Sequence, residues 1–415
     1  MGGVNERELY EQVLGLHGPW RVDSVEPRLA EGEILIHVGH GRGRLPCPDC
    51  GVPCPIHDHA EERRWRHLDT CEYRTIVCAR TPRVRCKEHG TLRVSLPWAV
   101  PLSRFTLKFE EFAVEVLRRS TVSGAAELLG LSWDEAFGIM NRAVDQARAA
   151  KAEKPLPRLG VDEKAIAKGH KYMTLVYDIT NKTVEYIGDG RARESLLGFY
   201  DTLSPVQLAG IQAVAMDMWS PYVNATLECV PRAETKIVFD RFHIMQHMNK
   251  AVDKVRRDEH RQLLAMRDQT LTGSRFLWLY GVENVPQHRW RDFELIRARA
   301  KKTARAWSIK ETLRELWRQP SVDLAITLWR RWYAWARRSR LSAVKKVALT
   351  VKAHIANILT YYRHAITNST AEGINSLIDS IQRLSRGFRN REHFKTAVYF
   401  HCGGLQLNAA TSATH

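Results

Sequence analysis

The chain has 415 residues and carries 63 Lys and Arg against 46 Asp and Glu, a formal net charge of +17. This length exceeds one typical domain and predicts two to four, each able to bury a core. A basic excess spread along the chain favours a polyanionic partner, although a merely basic soluble protein would show the same balance. No run approaches the roughly 18 apolar residues that cross a bilayer. The start of the chain also lacks a secretory signal, so we expect a cytoplasmic protein with no membrane partner.

The first 100 residues are predicted to form a small β-rich module. A short amphipathic helix (ERELYEQVLGL) is followed by WRVDSV and EILIHVGH, whose alternating polarity is typical of strands. YRTIVCA and PRVRC are two further strand-like runs. Pro97 and Pro101 close the module.

Six of the eight cysteines lie between Cys47 and Cys86, and in a reducing compartment such crowding indicates metal before disulfides. Two pairs have the spacing of zinc knuckles: Cys47 with Cys50, and Cys86 with His89. Four such donors suit a closed, structural Zn²⁺ site, although buried free thiols are the alternative. The other candidates are Cys54 and His57 as rival ligands, and Cys71 and Cys78 as buried strand residues.

Residues 101–152 are predicted to form a helix-turn-helix. Three runs have helical periodicity from Phe105 onward, with Gly130 at the turn and Ser132 as a helix cap. The third helix would present Trp133, Asn141 and Arg142 to a DNA groove. Helical hairpins of this kind also occur in proteins that bind no DNA. The stretch KAEKPLPRLG reads as a linker.

The next segment, 158–245, has the order βββαβαβ and predicts a mixed sheet. Residues 246–365 are helical in pattern and rich in tryptophan, and residues 366–415 begin with a helix near Ser369. Most of these tryptophans should pack in a core, although one could stack on an unpaired base. The fold class is therefore multidomain α+β: a zinc-binding β module, a helix-turn-helix, and a mixed α/β core interrupted by an all-helical insertion.

Acidic residues stand at the strand ends of that core. Phosphoryl transfer on DNA needs carboxylates that hold two Mg²⁺ ions on rigid elements, rather than a protein nucleophile. Asp162 lies in the first strand, Asp217 ends the fourth, and Glu372 opens a helix after the insertion. Alone, each could cap a turn or face solvent, and spacing does not exclude Glu163, Asp178 or Asp189 as competitors.

A second pair of residues, Asp240 and His243, follows the last predicted strand. His243 could be a core residue whose ring nitrogens are satisfied by neighbours. It could also orient a carboxylate or the scissile phosphate. The sequence leaves both interpretations open.

Several blocks of the sequence resemble the ISL-three family of insertion-sequence transposases. They are GVDEKAIAKGHKYMTLVYD, MDMWSPYVNA, KIVFDRFHIMQHMNKAVDKVRR and TAEGINSLIDSIQRLSRGFRNREHFK. The resemblance covers nearly the whole chain, including the zinc-binding segment that ends near Pro97 and Trp98. One departure is His89, where the family leads us to expect Cys, and zinc sites tolerate that exchange.

The resemblance implies a DDE-type transposase whose catalytic core is RNase H-like and whose triad is Asp162, Asp217 and Glu372, with Mg²⁺ or Mn²⁺ as cofactor. The enzyme would bind the terminal inverted repeats, hydrolyse phosphodiesters at the element ends and join the 3′-hydroxyls to target DNA. It would act on double-stranded DNA in the nucleoid as a homodimer or higher oligomer. Basic residues after Glu372 could contact phosphates or form a solvated face: Arg383, Arg386, Arg389, Arg391 and Lys395.

Two other functions remain open from the residues alone. One is a non-catalytic DNA-binding regulator built on the zinc module and the helix-turn-helix, which would leave the acid-bearing sheet unexplained. The other is a structure-specific nuclease that uses the same core without strand transfer. Cleavage without joining would indicate the nuclease, and binding without cleavage the regulator.

Overall fold

The computed structural model describes residues 5–41, 43–167, 171–367, 369–388 and 390–407. The chain divides into two compact units, Met1–Ala152 with Ile381–His415 and Glu153–Ser380. Within the described ranges, no helix combines the length and the apolar character needed to span a bilayer.

The secondary structure follows the chain in a simple order. The strands are β1 (Trp20–Arg28), β2 (Glu33–His40), β3 (Arg44–Pro46), β4 (Pro53–Arg66), β5 (Arg74–Cys86), β6 (Gly90–Arg93), β7 (Arg158–Ala167), β8 (Lys171–Asp178), β9 (Thr183–Asp189), β10 (Ala213–Met216) and β11 (Ile237–Phe239). The helices are α1 (Glu6–Leu14), α2 (Leu107–Arg119), α3 (Val122–Leu129), α4 (Trp133–Ala149), α5 (Arg193–Tyr200), α6 (Pro205–Gly210), α7 (Ser220–Cys229), α8 (Arg241–Ala265), α9 (Arg275–Leu279), α10 (Trp290–Arg299), α11 (Lys301–Arg314), α12 (Val322–Arg338), α13 (Ser342–Leu359), α14 (Tyr361–His364), α15 (Ser369–Leu384) and α16 (Arg391–Cys402).

The first unit contains a sheet of order β1-β2-β5-β4-β3, with β6 paired to β5. β2 and β5 are parallel, and the other pairs are antiparallel. One face buries Ile36, Trp65 and Val77 with Trp98 in an apolar cluster. The predicted β-rich module is therefore present.

The sequence prediction was wrong about two strands of this sheet. YRTIVCA and PRVRC are parts of one strand, β5, which continues through Pro82. Pro82 lies opposite His59, next to an irregularity in β4. Because strand pairing is interrupted at such a bulge, the amide hydrogen that proline lacks is not needed there. The prediction also contained no counterpart of β4, because its many charged residues hide the alternation of a half-exposed strand.

Helices α2, α3 and α4 follow the sheet and pack on one another, and α16 packs against α4 within the same unit. Gly130 ends α3 with a left-handed backbone conformation at φ 62°, a conformation that favours glycine. Ser132 and Glu135 form a capping box at the start of α4. The three predicted helices and their turn are confirmed.

The second unit is built on a sheet of order β11-β10-β7-β8-β9. β7, β8 and β9 form an antiparallel meander, whereas β10 is parallel to both β7 and β11. The βββαβαβ order is confirmed, with α6 as an additional short helix. The unit is thus a mixed α/β structure with β7 in the middle of the sheet.

The segment between β11 and α15 is helical, as predicted, and shares a core with the sheet. α13 packs on β11, and α8 packs on α11 and α13. Trp278, Trp307, Trp317 and Trp332 are buried in the same apolar cluster as the strand residues. Because these four tryptophans are buried, we interpret them as packing residues of the core.

Candidate functional site

The four predicted zinc ligands come together in the first unit. The ligand atoms of Cys47, Cys50, Cys86 and His89 all lie within 4.8 Å of one another. Cys50 Sγ is 3.8 Å from Cys86 Sγ, which is 3.5 Å from His89 Nδ1. Backbone and side-chain hydrogen bonds from His89 lower the pKa of Cys86 to about 6, which favours the thiolate that binds metal. Three sulfurs and one imidazole suit tetrahedral Zn²⁺.

The rival cysteine and histidine positions have other roles. Cys54 is buried and its thiol donates to the Val52 carbonyl. His57 is exposed and lies 3.2 Å from Asp58. Cys78 is a buried strand residue, as predicted. The prediction for Cys71 was wrong, because Cys71 is exposed in a turn before β5 with φ 55°.

The structure gives the helix-turn-helix candidates distinct environments. Trp133 is 37% exposed and stacks on Phe137, with ring centroids 5.0 Å apart. Asn141 donates to Asp145 and accepts from Thr396 of α16. Arg142, in contrast, donates to buried Glu110 of α2 at 2.6 Å. Trp133 therefore has an exposed ring, whereas Arg142 connects α4 to α2 through an ion pair.

The basic residues after Glu372 lie in the first unit, from position 381 onward. Arg383, Arg386 and Arg391 are exposed around the end of α15 and the start of α16. Lys395 is half-buried and pairs with Glu392 at 2.9 Å. Arg389 lies outside the described residues. These side chains thus belong to the unit that also holds the zinc cluster and the helix-turn-helix.

The parallel strands of the second unit bring acidic residues into one row. β10 pairs with β7 through Ala215 and Gly160, so continuing the register places Asp217 beside Asp162. β10 pairs with β11 through Met216 and Phe239, so the same continuation places Asp240 on the other side of Asp217. In-register residues on neighbouring strands share a face and are about 4.8 Å apart. Three carboxylates therefore line the same edge of the sheet.

Backbone and side-chain hydrogen bonds orient these carboxylates. Asp162 accepts from the Glu163 amide at 2.8 Å and from Asn375 Nδ2 at 2.8 Å. Asp217 accepts from the Met218 amide at 2.6 Å. Burial raises the pKa of Asp162, and the opposing effects of its hydrogen bonds and of nearby His243 do not cancel that increase. Hydrogen bonds thus orient Asp162 in the middle of β7 and Asp217 directly after the end of β10.

Helix α15 carries Glu372 to this edge of the sheet. Asn375, one turn after Glu372, donates to Asp162 and accepts from the Tyr177 hydroxyl at 2.9 Å. Asp379, one turn further, accepts from Lys164 Nζ of β7 at 2.6 Å. Positions separated by three or four residues share a helix face. Glu372 therefore lies on the face of α15 that contacts the sheet.

Asp240 and His243 form a charged pair within this group. Asp240 caps α8 by accepting from the Phe242 amide, and its other oxygen is 3.1 Å from His243 Nδ1. That contact, together with Asp217 and Asp162, raises the pKa of His243 to about 9. Partial burial and Asp240 raise the pKa of Glu372, and His243 opposes the change. The charges of Asp162, Asp217 and Glu372 are therefore linked to this pair.

The competing acids have other roles. Glu163 neighbours Asp162 on the strand, so its side chain points to the opposite face, where it pairs with Arg191 at 3.2 Å. Asp178 is fully buried, accepts from Lys154, and pairs in the sheet with Leu159, away from the acidic edge. Asp189 is exposed at the end of β9.

A pocket of about 340 Å³ adjoins the acidic edge within the second unit. Asp240 and Glu372 contribute to its lining, together with the basic residues Arg241, Lys310 and Arg314. The Lys310 ammonium donates to the carbonyl of Trp278 at 3.0 Å and is buried. The pocket is therefore lined by both carboxylates and cationic groups, and one of these cations, Arg314, also pairs with Glu311 at 2.6 Å.

Sequence reasoning missed Asn375, Lys164 and Asp379, which fasten α15 to β7. The available signal was their spacing on α15, where Asn375 and Asp379 recur at helical intervals after Glu372. Lys164 gave no signal, because a lysine in a strand next to two acids suggests only a solvent-exposed position. Helical spacing could have identified the face of α15, but not the strand to which it binds.

Comparisons with known proteins agree with this arrangement of modules. A family model described as a transposase, with the ISL3 DDE domain, matches residues 159–398. The helix-turn-helix domain of transposase family ISL3 matches residues 94–144, and the zinc-finger of transposases IS204, IS1001, IS1096 and IS1165 matches residues 44–89. The chain is therefore a transposase of the DDE class with a zinc-binding segment and a helix-turn-helix.

Two curated relatives extend the comparison to most of the chain. The transposase for insertion sequence element IS1001 of Bordetella parapertussis is 30% identical over 400 residues, covering 94% of this chain and 96% of the relative. The transposase for insertion sequence element IS1557 of Mycobacterium tuberculosis is 24% identical over 369 residues, covering 83% and 82%. The protein belongs to the ISL3 family of insertion-sequence transposases.

Proposed function

We propose that this transposase binds the terminal inverted repeats of its element, cleaves phosphodiesters at the element ends and joins the freed 3′-hydroxyls to target DNA. The observation that carries the proposal is the row of acids in register on β7 and β10, with Glu372 brought to the same edge by α15. The proposed catalytic residues are Asp162, Asp217 and Glu372. The mixed sheet, its meander and the helix that carries Glu372 support an RNase H-like core.

The donor set fits divalent metal ions that prefer oxygen ligands. Asp162, Asp217 and Glu372 offer carboxylate oxygens, and no cysteine lies among them. When bound, two Mg²⁺ or Mn²⁺ ions would activate the attacking oxygen and stabilise the leaving oxygen. Asn375 would hold Asp162 in one rotamer throughout, and the Glu163 amide would fix its second oxygen. Transesterification without a protein nucleophile depends on the precise positioning of the reacting groups, so the carboxylates must keep a fixed orientation.

Asp240 and His243 are proposed as positioning residues. Protonated His243 places a positive charge beside Asp162 and Asp217, which reduces the repulsion between the carboxylates. Asp240 holds that imidazolium through a contact of 3.1 Å. His243 would also be able to attract a DNA phosphate to the acidic edge before cleavage.

The other modules are proposed to bind DNA. The helix-turn-helix would recognise the terminal repeat through α4, with Trp133 exposed on its first turn. Asn141 and Arg142 would act mainly by holding α4 in place. The basic residues Arg383, Arg386, Arg389, Arg391 and Lys395 would neutralise phosphates. We propose the domain boundaries 1–100, 101–152, 158–245, 246–365 and 366–415, and a dimer or larger assembly that handles both ends in the nucleoid.

The decisive experiment is cleavage and joining of a labelled duplex that carries the element's own end, in Mg²⁺ or Mn²⁺. We expect the intact protein to cut and join, and Asp217→Ala to bind equally but cut roughly 100- to 1000-fold more slowly, the scale on which removing one key transition-state contact acts. Asp189→Ala is the matched control, because Asp189 is an exposed acid at the end of β9. Equal cutting by Asp217→Ala would contradict the triad. Cutting without joining would indicate a nuclease, and binding without cutting by the intact protein would indicate a regulator.

A further inference from the structure

A polar row crosses four strands of the first unit on the sheet face opposite the apolar cluster. It contains Glu26 of β1, His37 of β2, Cys78 of β5 and Glu62 of β4, in the order in which these strands lie in the sheet. His37 and Cys78 are paired in register on parallel strands, so their side chains share a face. The ligand atoms of His37, Glu62 and Cys78 all lie within 4.8 Å of one another.

We propose that Cys78 Sγ, His37 Nδ1 and a Glu62 carboxylate oxygen bind a second thiophilic divalent cation of the Zn²⁺ class, separate from the zinc-knuckle cluster. Sulfur, imidazole and carboxylate are the three donor types that Zn²⁺ uses in proteins. The proposal does not depend on the proposed catalytic function, since all three residues lie in the first unit.

Cys78 is the strongest indication of a ligand. Its side chain is only 1% exposed, and none of the hydrogen bonds among the described residues involves its thiol. Burial, followed by the charge of Glu62, raises the pKa of Cys78 to about 11, whereas the guanidinium groups of Arg64 and Arg28 oppose this change. Binding of the cation would displace the thiol proton to solvent.

His37 is oriented as a metal-binding histidine would be. Its Nδ1 is 3.8 Å from a Glu62 oxygen, and its Nε2 is 3.5 Å from a Glu26 oxygen. A carboxylate on the nitrogen that does not bind metal fixes the ring and its tautomer in many metal sites. Without a cation, the same geometry describes an imidazole held between two carboxylates, and the experiment distinguishes this alternative from a metal site.

The proposed site differs in kind from the zinc-knuckle cluster. Cys47, Cys50, Cys86 and His89 supply four donors and leave no open coordination position. His37, Glu62 and Cys78 supply three, so a fourth position would remain for water or another small donor. A three-ligand site binds more weakly than a closed one, and we expect its cation to be removed first by a chelator.

The test measures zinc bound to the full-length protein in an Asp217→Asn background, which weakens metal binding at the catalytic acids. After equilibration with ZnCl₂ in excess Mg²⁺ and removal of free metal, elemental analysis should give two Zn²⁺ per chain. Cys78→Ser should give one. Cys229→Ser is the matched control, because Cys229 lies in the second unit, and it should retain two.

A second measurement keeps the proposal testable if Cys78→Ser fails to fold. His37→Gln and Glu62→Gln change side chains that are partly exposed, and each should weaken the second Zn²⁺ at least 10-fold in a competition titration with a chromogenic chelator. Cd²⁺ should give additional thiolate charge-transfer absorption that Cys78→Ser lacks. One Zn²⁺ per chain in the parent protein, or two in Cys78→Ser, would overturn the proposal.

Discussion

Arg142 shows how a single residue can serve the fold where the sequence suggested a ligand contact. It lies on the predicted recognition helix, yet its guanidinium pairs with Glu110, which is only 3% exposed and also accepts from Ser103 Oγ at 2.8 Å. A buried carboxylate that loses its partner is costly. The position of a basic residue on a DNA-binding helix therefore does not by itself assign it to DNA.

We expect Arg142→Ala to lower the free energy of unfolding by about 3 kcal/mol, because Glu110 would remain buried without its countercharge. Arg118→Ala is the matched control, since Arg118 lies on α2 in an exposed pair with Glu115, and it should change stability by less than about 0.5 kcal/mol. Chemical denaturation of both variants measures the difference. A loss of DNA affinity with unchanged stability would mean that Arg142 reads DNA directly.

Stability at mildly acidic pH should depend on His67. This side chain is 3% exposed and shares a hydrogen bond of 2.8 Å with Thr106 Oγ1. Burial, with Lys108 and Arg66 nearby, lowers its pKa to about 4. Because the unfolded chain takes up the proton near pH 6.5, stability is full above that pH and falls as the pH decreases towards 4.

The measurement is the free energy of unfolding between pH 7 and pH 4.5 for the parent protein and His67→Gln. We expect a smaller loss in the variant, by about 2 kcal/mol at the lower pH. His57→Gln, at an exposed position, controls for a general effect of removing histidine. Identical slopes for all three proteins would show that His67 does not contribute.

At the scale of elements, the site depends on how α15 is attached to β7. Three polar residues make this attachment, with Asn375 and Asp379 on the helix and Lys164 on the strand. Strand pairing places Asp162 and Asp217 side by side, because β10 runs parallel to β7 in a register that brings these two positions together. Glu372 has no such constraint and relies on the helix contacts.

We expect Asn375→Ala to reduce the rate of DNA cleavage roughly 10- to 100-fold, the usual effect of removing a residue that orients a ligand carboxylate. DNA binding should be unchanged, and stability should fall by only about 1 kcal/mol. Ser376→Ala is the control, because Ser376 is exposed on the neighbouring helix position. Equal rates for both variants would show that Asp162 holds its orientation without Asn375.

At the scale of the whole molecule, the two compact units have different sources of stability. The zinc-knuckle cluster lies entirely in the first unit, whereas the second unit has a large apolar core that joins the sheet to the helical insertion. Structural zinc contributes directly to the folding free energy of the segment that binds it. Removal of zinc should therefore affect one unit selectively.

Differential scanning calorimetry of the full chain should resolve this selectivity. We expect a chelator to lower the temperature of one transition by more than 10 °C, as a loss of several kcal/mol from a domain of this size would do, and to leave the other unchanged. Added Zn²⁺ should restore the transition that the chelator lowers, and Cys86→Ser should show a much smaller effect of chelator than the parent protein. A shift of both transitions together would contradict independent stabilisation.

Much of the architecture was predictable because its causes are local. Three of these signals depend only on neighbours in sequence. They are the knuckle pairs with two intervening residues, the glycine and serine on either side of position 131, and the alternating polarity from Arg158 onward. The same reasoning correctly predicted that the four knuckle residues lie together. It was wrong for Cys71 and for the continuity of β5, because a turn and a bulge depend on the partner strand.

The four clustered knuckle residues, the helix-turn-helix and the βββαβαβ order of the second unit could be predicted from the sequence, and resemblance added the three proposed catalytic acids. The structure was needed to show that Asp240 continues their row, that Asn375 donates to Asp162, and that Arg142 pairs with Glu110. The physical reason is separation along the chain. Asp162 and Asn375 are 213 positions apart, and no local preference specifies which strand a distant helix will contact.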